Sequence, residues 1–304
     1  MIRKLRAPLV IALIGAICAA VVLGVAWYRS RAITTASLLR RLPRSNALVV
    51  YVDFDTLRRA GILNRLEGLQ ITEDPEYKEF VRKTGFDYTR DLHSALVAFG
   101  PAGKYLLVRG RFDWKSLESY VELEHGACVS SLCRMQGSTP DRRISFFPLK
   151  SDVMALAVSP DDSAALRMQE SAPEGASEMP DAPMWMSVPA HLLQSGDLPE
   201  HARPFAHSME RAESVMISFA PERQRLGAKL DVHCRNSQDA AELASQLSRA
   251  TELLRQMLER EHQKPDPAGF SGILTAGTFH SEGSRVYGYW PIEPAFLDAL
   301  FAGS

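Results

Sequence analysis

The stretch HSALVAFGPAGKYLLVRGRF, residues 93–112, decides the fold class of this chain. Residues 93–99 and 105–112 are rich in strand-forming side chains, and a tight Gly-Pro-Ala-Gly turn separates them. Two such runs joined by a short glycine-containing turn predict an antiparallel hairpin. We therefore expect a core built on antiparallel strands, and not the parallel sheet of a doubly wound nucleotide-binding fold.

Similar elements are predicted on both sides of this hairpin. Asp55 and Asp113 are each placed to cap a following helix. The first unit, residues 46–170, is predicted to contain, in order, a strand at 47–54, helices at 57–66 and 75–83, the hairpin, a helix at 114–122 and a second hairpin at 144–149 and 153–158.

The same order of elements returns after a Pro-, Ala- and Ser-rich linker at residues 171–183. Phe219 echoes Phe99, and Gly196 echoes Gly61, at roughly constant offsets. This pattern predicts an internal duplication with both phenylalanines buried, and chance recurrence of α+β elements is the alternative. The second unit, residues 184–304, is predicted to contain a strand at 184–188, a hairpin at 215–219 and 226–234, a long helix at 237–261, a hairpin at 273–279 and 285–291, and a helix at 294–301.

Residues 8–27 (PLVIALIGAICAAVVLGVAW) form a run of twenty residues without a charge. A helix of that length spans roughly 30 Å, the hydrocarbon thickness of a bilayer, so the run predicts a transmembrane signal anchor. A cleaved secretory signal is the alternative, because a basic tail at residues 1–7 precedes the run and Gly24-Val25-Ala26 resembles a cleavage site. A juxtamembrane connector at 28–45 follows. The predicted fold class is α+β: an N-terminal transmembrane helix, then mainly antiparallel sheets with helices on one face, as a tandem duplication.

The distribution of basic residues bears on the orientation in the membrane. Three basic residues precede the run and five arginines follow it within residues 29–44, which by simple counting places the large domain inside. Long domains translocate largely regardless of such charges. We therefore expect a single-pass protein of the bacterial inner membrane with its C-terminal domain periplasmic or extracellular.

Charge and motifs exclude several functional classes. The net charge is −1 from 35 basic and 36 acidic residues, so no nucleic-acid partner is expected. No P-loop, G-x-G-x-x-G, G-x-S-x-G or H-E-x-x-H pattern occurs, and the eight histidines are scattered. Asp53 and Asp55 form a D-x-D pair at a strand end, but Asp55 is better explained as a helix cap. The sequence therefore assigns no catalytic residue, cofactor or metal.

Two cysteines lie close together in the loop HGACVSSLCRMQGS, residues 125–138. The spacing of Cys128 and Cys133 suits a small disulfide in an oxidising compartment. Two free thiols and a zinc site are the alternatives, although His125 alone does not complete a zinc site. Cys234 lies in a strand-like run and is expected to be a buried small hydrophobe.

The stretches LLRRLPRSNALVVYVDFDTLR (38–58) and KTGFDYTRDLHSALVAFG (83–100) loosely resemble uncharacterised bacterial membrane-anchored proteins of unknown function. That resemblance implies architecture and brings no catalytic residues. The expected function is an extracytoplasmic binding or structural module of unknown ligand, with a membrane-anchored hydrolase as the alternative. The expected partners are the lipid bilayer, through residues 8–27, and a protein, for which the amphipathic helix at 237–261 offers a surface if it does not only cover its own sheet.

Overall fold

A computed structural model describes residues 34–63, 75–137, 139, 141–170, 179–194, 212–223 and 225–302. These residues contain twelve strands. In chain order the strands are β1 (Leu48–Asp53), β2 (Leu92–Gly100), β3 (Gly103–Gly110), β4 (Ala127–Val129), β5 (Leu132–Gln136), β6 (Arg143–Lys150), β7 (Val153–Ser159), β8 (Met184–Pro189), β9 (Ala212–Glu222), β10 (Arg225–Cys234), β11 (Thr278–Glu282) and β12 (Arg285–Ile292).

The helices lie before, between and after these strands. They are α1 (Thr35–Leu39), α2 (Phe54–Arg59), α3 (Pro75–Thr84), α4 (Tyr88–Asp91), α5 (Trp114–Leu123), a 3-10 helix (Ala164–Met168), α6 (Ala190–Gln194), α7 (Ser237–Arg260), α8 (Phe270–Thr275) and α9 (Pro294–Ala302). Asp113 caps α5 as expected, because its carboxylate accepts a hydrogen bond from the Ser116 N–H at 3.2 Å.

All twelve strands belong to one antiparallel sheet with the order β11-β12-β10-β9-β8-β1-β2-β3-β7-β6-β5-β4. The β1–β8 pair joins the two parts of the sheet, and in it Val50 lies opposite Met186 and the rings of Tyr51 and Trp185 stack with centroids 5.6 Å apart. Outward from this pair, β1-β2-β3-β7-β6 and β8-β9-β10-β12-β11 follow the same order. The division into two units, residues 46–170 and 184–304, stays a prediction, and the two names are used below for the corresponding parts of the sheet.

The front face of the sheet carries the larger helices. In the second unit Ala240 and Leu243 of α7 pack on Leu230 and Val232 of β10. In the first unit α5 packs on the same face through Leu117 and Val121, against Met154 of β7 and Phe146 of β6.

The reverse face is covered only in the first unit, among the residues that the structure describes. There, Leu38 and Leu39 of α1 and Ala165 and Met168 of the 3-10 helix bury Val49, Leu96 and neighbouring strand residues in the largest core cluster. The segment predicted as a juxtamembrane connector is therefore, from Thr34 onward, part of the packed domain. Its three leucines are buried, with at most 5% of each exposed: Leu38, Leu39 and Leu42.

These observations correct the predicted fold class. The chain forms one sheet instead of several, and helices cover parts of both faces instead of one, because side chains alternate along each strand and the first unit is apolar on both sides. No helix in the described ranges is long and apolar enough to cross a membrane. The transmembrane helix predicted at residues 8–27 lies outside the described residues.

The predicted burial of both hairpin phenylalanines is also wrong. Phe99 is 39% exposed at the end of the β2–β3 hairpin, with the Lys104 ammonium 5.8 Å from its ring centroid. Phe219 is half-buried against Leu226 and Phe296. The difference arises because α9 covers the end of the second hairpin, whereas Phe99 projects beside a solvent-facing lysine.

Candidate functional site

The reverse face of the second unit is broadly concave and partly encloses a volume of about 1210 Å³, and we call this concave surface the trough. Five strands, β8, β9, β10, β12 and β11, supply its base. Met179 and Pro180, just before β8, lie at its rim. No helix of the described residues covers it, although the equivalent face of the first unit lies beneath α1 and the 3-10 helix.

Strand register arranges the trough side chains in three rows that run across the strands. Alternate residues of a strand point to the same face, and paired strands lie about 4.8 Å apart, so partners in register are neighbours on that face. From β8 to β11 the rows are Pro189-Ser214-His233-Arg285-Glu282, then Ser187-Met216-Asp231-Tyr287-His280, then Trp185-Ser218-Lys229-Tyr289-Thr278.

The two sides of the trough differ in the size of their side chains. Ser187, Ser214 and Ser218 line it on β8 and β9. Most of the side chains that line it on β10, β12 and β11 are longer, and we call that side the wall.

Charges in the trough are balanced. Arg285 Nε lies 4.0 Å from an Asp231 carboxylate oxygen, and both side chains are about one-third exposed. Lys229 is exposed and makes no ion pair with any residue in the described ranges. His280 and Tyr287 have ring centroids 5.4 Å apart. The surface therefore offers donors, acceptors and ring faces together.

A hydrogen bond fixes one end of the wall. Tyr289 Oη donates to a Glu222 carboxylate oxygen at 2.6 Å, and the Arg225 guanidinium lies 3.9 Å from the same carboxylate. Gly227 makes room for this arrangement, since a Cβ there would lie 2.4 Å from the other carboxylate oxygen. The hydrogen bond to Glu222, together with burial, raises the pKa of Tyr289 above its ordinary value of 10.0.

The D-x-D pair has a structural role that differs from the predicted one. Asp53, not Asp55, caps α2: its carboxylate accepts from the Thr56 N–H at 2.9 Å. Asp55 lies in the first turn and contacts Arg58 at 2.7 Å and His93 Nδ1 at 2.9 Å. Burial acts to raise the pKa of Asp55, but hydrogen bonds and charges from His93 and Arg58 lower it overall. Among the described residues, no hydroxyl or thiol hydrogen-bonds to His93 to complete a nucleophile.

The remaining sequence candidates do not join the trough. Cys128 and Cys133 face each other on β4 and β5 and form a disulfide, with their Cα atoms 4.0 Å apart. The two-residue turn between them places Ser130 and Ser131 at positive φ, as a tight hairpin of this kind requires. Cys234 is free and 1% exposed, as expected. His201 and His207 lie outside the described residues.

Two further features of the described residues concern possible sites outside the trough. The described residues contain no group of three or more His, Cys, Asp or Glu side chains able to hold a metal ion. A smaller cavity of about 420 Å³ lies between the end of α7, α8 and Pro291. On the helices that line it, Leu253 and Met257 of α7 and Phe270 and Leu274 of α8 are each about half exposed or more.

The sequence contained a signal for the trough that the analysis of motifs missed. In β10 and β12 the alternation that places Leu230, Val232 and Val286 inward also places Lys229, Asp231 and Tyr287 together on the other face. Such polar alternation is typical of any half-solvated strand. The trough differs from other half-solvated strand faces only because no element in the described part of the chain packs over it.

No protein-family model and no curated protein matches the chain. Solved structures of the protein TP0453 share its fold. Crystal form I superposes with a TM-score of 0.52 at 10% identity, covering 90% of this chain and 98% of that one. Form III gives a TM-score of 0.50 at 10% identity, with 89% and 99% covered. At this identity the likeness establishes the overall fold and nothing about ligand or activity.

Proposed function

We propose that the chain is an extracytoplasmic binding module that holds its ligand in the trough. The observation that carries the proposal is the reverse face of the second unit, which no helix of the described residues covers and where polar and aromatic side chains of five strands line about 1210 Å³. A ligand site needs convergent polar groups in a concave surface, and this face supplies them. Its open, solvated shape favours binding over catalysis, because electrostatic stabilisation of a transition state is strongest where bulk solvent is excluded.

Two features support the proposed compartment. The Cys128–Cys133 disulfide suits an oxidising environment, which bacterial cells provide outside the cytoplasm. The uncharged stretch at residues 8–27 suits association with a bacterial inner membrane, with the sheet domain on its periplasmic or extracellular side. Retention of the full chain in the membrane pellet after an alkaline carbonate wash tests this association, and release into the supernatant would refute it.

A thermal-shift screen of chemically diverse compounds tests the binding site itself. Compounds that raise the melting temperature of the full chain are compared on the double variant Asp231→Ala/Tyr287→Ala. The matched control is Asp152→Ala/Phe99→Ala, which removes an aspartate paired with Arg109 at 3.1 Å and an exposed aromatic ring outside the trough. We expect the shift to vanish only in the trough variant, and equal shifts in all three proteins would contradict the proposal.

A further inference from the structure

We infer that the trough binds an uncharged oligosaccharide chain, an inference that rests on the proposed binding function. The first argument is the charge of the lining. Lys229 and Arg285 contribute two positive charges, and Asp231 and Glu282 contribute two negative charges. A site without net charge does not select phosphate, nucleic acid or an acidic peptide, whose recognition needs complementary potential.

The position of the charged residues in the surface argues against a folded protein as the ligand. Protein interfaces have an apolar core from which charged residues are depleted. Here the middle of the trough carries Asp231 and Lys229. None of the exposed large hydrophobic side chains of the described residues lies in its lining.

The distribution of rings and hydrogen-bonding groups fits a sugar. A pyranose presents apolar C–H groups on its faces and hydroxyl groups around its rim. Tyr287 and Tyr289 lie two residues apart on β12, about 6.7 Å along the strand, and offer ring surfaces in adjacent rows. Beside them on β10, the carboxylate of Asp231 accepts and the ammonium of Lys229 donates hydrogen bonds. Two of the three rows thus pair a tyrosine ring with a polar group, Tyr287 with Asp231 and Tyr289 with Lys229, as successive sugar units require.

The size of the trough sets the length of the ligand. Its volume of about 1210 Å³ exceeds the upper end of the ~300–1,000 Å³ range of pockets for single small molecules. A monosaccharide would leave most of the three rows without contacts. The structure therefore fits a chain of several sugar units.

Isothermal titration calorimetry on the full chain tests this inference. The protein is kept in a detergent without a sugar headgroup, because an alkyl glycoside would compete for the trough. The neutral probes are hexamers of β-1,4-linked glucose and of N-acetylglucosamine, and the charged probes are a sulfated hexasaccharide and a hexaglutamate peptide. Variants Asp231→Asn and Tyr287→Val are compared with the matched controls Asp152→Asn and Phe99→Val, which make corresponding changes outside the trough.

We expect at least one neutral hexamer to bind, roughly tenfold more weakly to Asp231→Asn because a charge-assisted hydrogen bond is lost. Tyr287→Val should weaken binding at least threefold, and both controls should bind like the wild type. Stronger binding of a charged probe, no binding of either neutral hexamer, or equal binding to the trough variants would overturn the inference. If compounds from the thermal-shift screen still need Asp231 and Tyr287 for their stabilising effect, only the inference about the oligosaccharide is refuted. If no compound needs them, the proposed binding function is refuted as well.

Discussion

Tyr289 Oη and the Glu222 carboxylate form a 2.6 Å hydrogen bond across the end of the trough wall. Because this bond and burial raise the pKa of Tyr289 above 10.0, the neutral phenol is favoured in the folded protein. The stability that the neutral Tyr289 contributes is fully present below pH 10, the unfolded pKa. It is lost as the pH rises through the raised pKa of the folded protein.

Glu222→Gln should therefore lower the pKa of Tyr289 towards 10. A tyrosinate absorbance titration measures this, with Tyr289→Phe used to identify the signal of that residue. The wild type should lose more stability than Glu222→Gln between neutral pH and pH values above 10. An unchanged Tyr289 titration in Glu222→Gln would show that the hydrogen bond does not set its pKa.

Asp91 provides a prediction at acid pH. It is 7% exposed and accepts hydrogen bonds from the Asp87 N–H at 3.0 Å and from Arg111 at 2.8 Å. Burial acts to raise its pKa, but the hydrogen bonds from the Asp87 N–H and Arg90, and the charges of Arg90 and Arg111, bring it below 3.8. A carboxylate whose pKa is lower in the folded than in the unfolded state stabilises the fold at pH values above its unfolded pKa. This stabilisation is lost as the pH falls through the folded pKa.

Asp91→Asn should accordingly lower the free energy of unfolding by about 1.5–3 kcal/mol at pH 7. Urea unfolding at several pH values checks this, and the difference from wild type should shrink below pH 3.8. The exposed Asp141→Asn serves as the control and should change stability little. A difference that is constant down to pH 2 would mean that the carboxylate charge is not the cause.

The cap of α2 separates the roles of the two aspartates of the D-x-D pair. Because Asp53 accepts from the Thr56 N–H, Asp53→Ala should cost about 1 kcal/mol of stability. Asp55 is 43% exposed and pairs on the surface with Arg58, so Asp55→Ala should cost less. Chemical denaturation of both variants checks the ranking. A larger loss of stability in Asp55→Ala would show that Asp53 is not the residue that caps the helix.

The disulfide is testable on the exported full chain. Alkylation without reductant should leave Cys128 and Cys133 unmodified, whereas both should become alkylated after reduction. Mass spectrometry measures the modification. Reduction should cost less than the ~3 kcal/mol estimated for a fifteen-residue loop, because only five positions separate the two cysteines. Alkylation of both sulfurs in the unreduced protein would contradict the assignment.

Local elements could be predicted from the sequence because their causes are local. The turn at Pro101 and Ala102 joins β2 to β3, and Gly103 is required there because its φ of +135° and the Val158 carbonyl leave no room for a Cβ. The α5 cap at Asp113 likewise depends on neighbouring residues.

Long-range pairing and the trough could not be predicted in this way. The single sheet depends on β1 pairing with β8, and no local pattern in either strand specifies that partner. The trough depends on which face of β10 stays uncovered. Periodicity identifies two faces of a strand but does not say which neighbour packs on each.

Protection of Lys229 from amine modification tests the central claim most directly. Lys229 is exposed in the trough row between Ser218 and Tyr289, and Lys115 on α5 is an exposed lysine outside it. The full chain is labelled with and without a saturating compound that raises its melting temperature, and labelling is read by mass spectrometry. The account predicts slower labelling of Lys229 with Lys115 unchanged; equal labelling of Lys229 in both samples would contradict binding in the trough.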